Sequence, residues 1–180
     1  PHFARRMEWF IKYRPELVQR IASLTQPGEG GRLLLSIINQ EQLQRVLTRM
    51  LDSNEFLSDY GLRSVSKYHA AHPYTWNVDG QALTLNYEPA ESSTGLFGGN
   101  SNWRGPIWFP VNYLMIESLQ KFHHYYGESL KTDLPTGSGQ QATLDKVAAN
   151  ISNRLERIFV RDAGGRRAVF GGNQHFQNDP

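Results

Sequence analysis

Between Pro106 and Gly127 the apolar residues Trp108, Val111, Met115, Leu119 and Phe122 recur at intervals of three and four, a spacing that gathers them on one side of an α-helix but scatters them over both faces of a strand. The spacing predicts a long helix from about Pro106 to Tyr126, capped by Gly127. Pro110 would then fall inside the first turns, removing one early backbone bond and bending the entry. The same signature recurs from Glu41 to Leu51 and from Thr143 to Phe159, and again from Phe3 to about Ile21, where Pro15 divides it into two stretches. Stripes of this kind are stable only when they share a core, so the chain is expected to be mainly α.

Thr75 to Tyr87 reads TWNVDGQALTLNY, and Asp79-Gly80 supplies the residue types that a two-residue hairpin turn needs. Residues 32 to 38 contain the short apolar run LLLSII, expected to be buried and of either type. Glu88 to Gly105 is rich in Gly, Ser and Asn without periodicity, the mark of a functional loop or linker. Leu130 to Gln141 reads as a flexible polar connection, and Asp162 to Gly165 as a turn between two extended pieces. No internal repeat is evident, and residues 1 to 180 read as one domain without an internal boundary. The start at Pro1 and the stop at Pro180 suggest an internal fragment of a longer polypeptide.

Charge and composition narrow the partners. Nineteen Lys plus Arg face seventeen Asp plus Glu, without a basic run, which argues against a nucleic-acid binder. No apolar run approaches the roughly 18 residues of a bilayer span. The absence of cysteine rules out disulfides and thiolate metal sites and permits a reducing compartment without requiring one; a cytoplasmic location is the expectation. The six histidines lack metal-site spacing, so no metal is expected.

The stretch Gly98 to Tyr113, GGNSNWRGPIWFPVNY, holds the densest chemistry. A sugar presents apolar C–H faces and a rim of hydroxyls, so its site needs flat aromatic rings beside directional donors and acceptors. Asn100, Asn102, Trp103, Arg104, Trp108, Asn112 and Tyr113 supply both kinds of group. Arg104 adds a planar fork able to grip vicinal oxygens or a carboxylate. The same residues serve equally well as core aromatics, an ion-pair partner and turn glycines, and the motif alone leaves that open. Glu88 and Glu91 could in principle share acid and base work, but solvated loop carboxylates are the simpler reading.

Three stretches, YGLRSVSKYH (Tyr60 to His69), YEPAES and GLFGGNSNWRGPIWFPVNYL (Gly95 to Leu114), resemble glycoside hydrolase family 63 and its bacterial relatives of the processing α-glucosidase and mannosylglycerate hydrolase types. The resemblance implies a partial (α/α)6 barrel carrying the β-hairpin and long loops, inverting hydrolysis of α-glucosidic or α-mannosidic bonds in an oligosaccharide or small glycoside, and no cofactor. Inversion needs a carboxylic acid and a carboxylate base about 6.5–9.5 Å apart. By the same resemblance the acid precedes the matched region and the base follows residues 171 to 180, so no catalytic residue is expected within the chain. Trp103, Arg104 and Gly105 match the family's pocket motif, with Trp108, Asn112 and Tyr113 on the helix beyond. A few helices cannot close such a ring, so apolar faces should be left exposed. Rival readings are a non-catalytic carbohydrate-binding module and a helical interaction module.

Overall fold

Leucines dominate the core, and three helices bring them together. The computed structural model describes residues 2–18, 26–89, 93, 95 and 105–178. Within these, α1 (His2–Tyr13) and α2 (Pro15–Val18) precede α3 (Gln40–Met50), α4 (Phe109–Tyr126), α5 (Leu144–Glu156) and the short α6 (Gln174–Gln177). Three antiparallel hairpins lie between them: β1 (Leu57–Ser58) with β2 (Gly61–Leu62), β3 (Tyr74–Val78) with β4 (Gln81–Leu85), and β5 (Lys131–Asp133) with β6 (Gln141–Thr143). The described elements are mainly helical and close no barrel.

Helix α3 begins where Asn39 and Gln42 cap each other, each backbone N–H donating to the other's side-chain oxygen at 2.9 Å. Leu43 and Leu47, with Leu51 just beyond, then enter a core shared with Leu57, Leu62, Leu119, Leu130, Leu144, Val147 and Ile151. Each such side chain contributes about 1.5–3 kcal/mol by leaving water. Helices α4 and α5 pack on each other, and α5 buries Leu144, Val147, Ala148, Ile151 and Leu155, close to the face its spacing predicts.

Four expectations need correction. Helix α4 starts at Phe109 because Ile107 is occupied in an antiparallel bridge with Arg63. Pro110 therefore sits at the helix entry, where its missing N–H has no intrahelical partner to lose. The run at 32–38 is not fully buried: Leu33, Leu35 and Ile37 are exposed, Leu34 and Ser36 are half-buried, and Ile38 packs against the core. Residues 130–141 are no flexible connection but the β5–β6 hairpin, anchored by buried Leu130 and by Thr136, which donates from its N–H to the Leu51 carbonyl and from its hydroxyl to that of Thr48. Beyond the predicted turn at Asp162, the extended pieces reduce to one bridge, Arg161 with Arg167, followed by a 3-10 turn at Ala168–Phe170 and α6.

The hairpin at Asp79-Gly80 matches its prediction. Both turn residues have positive φ, 49° and 79°, and Val78 faces Gln81 across a two-residue loop.

Candidate functional site

The entry to α4 is held by residues distant in the chain. Gly105 donates its N–H to the Ser64 hydroxyl at 2.9 Å, and Ser64 donates its N–H to the Pro106 carbonyl at 3.1 Å. With the Arg63–Ile107 bridge, these bonds lace the end of YGLRS to the start of GPIW. The third segment joins through Tyr87, whose hydroxyl accepts from Arg63 Nε at 3.1 Å. Its ring lies so close to Gly105 that a Cβ there would meet ring carbons at 2.6 Å and 2.7 Å. Gly105 also has φ 141°, a conformation that side-chain-bearing residues rarely adopt, so both space and backbone require glycine.

Arg63 is spent on this frame. Its Nη1 donates to the carbonyls of Ser53, Glu55 and Leu57, so the guanidinium satisfies backbone acceptors between α3 and β1. Asn112 works in the same way one turn into α4. Fully buried, it accepts the Leu62 N–H at 2.7 Å and donates to the carbonyls of Leu62 and Trp108 at 3.0 Å and 2.9 Å. Gly61 lies against it, leaving no room for a Cβ between Leu155 and the Asn112 oxygen. From the other side, Arg154 donates to the Ser58 carbonyl at 2.7 Å and lies 3.8 Å from Asp59. Burial lowers the Arg154 pKa, with Asp59 opposing the effect and Arg157 adding to it.

The predicted site residues thus divide. Asn102, Trp103 and Arg104 lie outside the described residues, as does Glu91. Gly105 and Asn112 are buried in the frame. Trp108 is half-buried at the N-cap of α4, and Tyr113 is 61% exposed on its outer side. Glu88 follows Tyr87 directly and accepts hydrogen bonds from the Ser93 N–H (3.1 Å) and hydroxyl (2.7 Å). Arg63, Ser64 and Tyr87 were not singled out in the sequence, where nothing but their place inside the three motifs marks them. Among the described residues no cluster of three or more His, Asp or Glu is placed to hold a metal, and no helix is long and apolar enough to cross a membrane.

A groove of about 600 Å³ begins at Arg63 and Ser64 and runs between α3 and α4. Val46, Met50, Phe56, Val111 and Met115 line it, with Arg45 and Arg49 at its edge. A Glu55 carboxylate hydrogen-bonded to Arg49 raises that guanidinium's pKa. The lining offers a sugar few directional partners and suits packed side chains better. Val111 and Met115, expected on the buried face of α4, are thus displaced toward this groove.

Comparison with known proteins agrees with these motifs. The family described as mannosylglycerate hydrolase MGH1-like glycoside hydrolase domain matches residues 32–159. A Saccharomyces cerevisiae protein, the uncharacterized YMR196W, is 48% identical over 181 residues, covering 99% of this chain and 17% of that protein. The mannosyl-oligosaccharide glucosidase of the same yeast is 25% identical over 122 residues, 67% of this chain and 11% of its own length. A probable mannosyl-oligosaccharide glucosidase of Schizosaccharomyces pombe is 26% identical over 132 residues, 72% of this chain and 11% of that one. The chain therefore spans well under a fifth of these relatives. Since the family match covers more than half of the chain and contains all three interlaced segments, the chain belongs to the MGH1-like glycoside hydrolase family.

Proposed function

We propose that these residues form one wall of the sugar pocket in an inverting glycoside hydrolase that cleaves α-glucosidic or α-mannosidic bonds within an (α/α)6 barrel of the longer protein. The observation that carries this reading is the convergence of Arg63-Ser64, Tyr87 and Gly105 at the entry to α4, inside a span matched by a glycoside hydrolase family. A rigid frame of this kind is what a binding loop needs, because a pocket donor displaced by about 1 Å loses much of its effect on rate. In this reading Asn102, Trp103 and Arg104 meet the sugar from the loop before Gly105, while Trp108 and Tyr113 flank it from α4. Gly105 and Asn112 hold the frame without touching the ligand.

The acid and base are placed outside the 180 residues, in keeping with the small share of the relatives' length that the chain covers. A cytoplasmic setting is kept as part of this proposal, and the absence of cysteine is compatible with it. The test is to incubate the full-length protein and the 180-residue chain with α-glucosides and α-mannosides, following the released anomer by NMR. Turnover with inversion by the full-length protein alone is the expected result. General acid and base assistance each typically contribute about 10²–10⁴-fold, so the shorter chain should stay near background. Turnover by the short chain would place a catalytic carboxylate within it, and retention of configuration would overturn the mechanism.

A further inference from the structure

The β3–β4 hairpin leaves both faces of β3 open to solvent, one of them aromatic. Tyr74 and Trp76 stand two residues apart on β3 and so share a face, yet they are 58% and 61% exposed. The register sets Leu85 opposite Tyr74, Leu83 opposite Trp76, and Gln81 opposite Val78. This face therefore combines two aromatic rings, aliphatic side chains and an amide, with no acidic or basic group, in a chain that is 20% charged. The opposite face presents Thr75, Asn77, Ala82 and Thr84, with the two threonine hydroxyls 3.1 Å apart. An open aromatic face of this kind can be covered by further chain or by a ligand, and its surroundings decide between them.

Continuity with the motif frame indicates what binds. β4 runs on through Asn86 into Tyr87, the residue that covers Gly105 and bonds Arg63. Leu83, opposite Trp76, lies four residues before Tyr87, roughly 13 Å away at about 3.3 Å per residue of strand. The face thus extends outward from the frame. We propose that the Tyr74–Trp76 face is an outer subsite, on which sugar units beyond the one being cleaved stack in a neutral oligosaccharide. The inference rests on the glycoside hydrolase reading above. Pyranose C–H faces suit flat rings, while the Trp76 N–H, Tyr74 hydroxyl and Gln81 amide offer hydrogen bonds at the rim. A face without charge suits a ligand without charge.

The experiment uses the full-length protein, with Trp76→Ala and Tyr74→Ala measured against wild type. Substrates are p-nitrophenyl α-glucoside and α-mannoside, compared with α-linked glucose and mannose oligomers of five units. Each substitution should lower kcat/KM for the oligomer by about tenfold, mainly through KM, and leave the short glycoside within about twofold. Equal losses on both, or no loss on the oligomer, would overturn the subsite. So would a Trp76→Ala protein that fails to fold, since that face would then be packed against further chain; Tyr74→Ala provides an independent check. Should the wild type cleave no glycoside, the catalytic reading falls separately. Calorimetry with the same oligomers then decides: binding abolished by Trp76→Ala upholds the subsite, and binding that is absent or unchanged removes it.

Discussion

Helices α1 and α5 carry the same kind of amphipathic pattern and meet different fates. α5 buries five residues against α4 and the hairpins around it. α1 buries none: Phe3 is 74% exposed, and Trp9 and Tyr13 are both more than half exposed. Periodicity states that a face wants to be covered, not what covers it. In α5 the partner lies within the chain. For α1, and for the groove between α3 and α4, no described residue fills that role. A region of a longer protein would be divided in this way, with one part packed and another awaiting its neighbours.

That comparison is sharpest in the core. Leu47→Ala, at a site 1% exposed, should destabilise the 180-residue chain by about 2–5 kcal/mol, whereas Phe10→Ala on α1 should fall within about 0.5 kcal/mol, both read by denaturant unfolding. In the full-length protein Phe10→Ala should become costly. If it stays neutral there, α1 has no partner anywhere and the contrast dissolves.

A smaller effect is expected at Asn112. Replacing it by alanine strands the buried Leu62 N–H and the carbonyls it satisfies, so unfolding should show a loss of about 1–3 kcal/mol. An unchanged midpoint would mean that α4 does not depend on this link to β2.

The smallest effect belongs to Asp145, in the first turn of α5. The Thr143 hydroxyl, hydrogen-bonding its carboxylate, lowers its pKa, with backbone amides and His123 helping and burial opposing. A carboxyl depressed in the folded state contributes stability that is present above its unfolded pKa of about 3.9 and is lost as pH falls through the folded value. Asp145→Asn should therefore lower the Tm slightly at neutral pH and leave no difference from wild type at about pH 2. A difference that persists at low pH would assign the effect to packing.

How far the sequence could be read follows from where the determining contacts lie. The Asp79-Gly80 turn, the face of α5 and the Leu43, Leu47 and Leu51 part of the α3 face were legible because their signals are local, set by φ preferences and by spacing along one helix, whereas Val46, expected on that face, is 51% exposed. The β5–β6 hairpin was missed because each strand has only three residues and its anchor is α3, far off in sequence. The start of α4 was misplaced for the same reason, since Ile107 pairs with Arg63. Asn112 looked like a sugar ligand because a polar residue near a helix start gives no hint of being buried; only the approach of β2 reveals the use of its amide. The three motifs could be recognised in the sequence, but their interlacing through Tyr87, Ser64 and Gly105 could not.

In the proposed function this frame presents the loop before Gly105 to a sugar. The most direct test of that role is kcat/KM of Arg104→Ala in the full-length protein, on whichever α-glycoside the wild type cleaves. The expected result is a loss of at least about tenfold, equivalent to roughly 1.4 kcal/mol, with the unfolding midpoint unchanged, because a pocket donor acts on ligand or catalytic carboxylate. Normal kinetics in the variant would contradict it and return Arg104, and the loop that carries it, to a structural role.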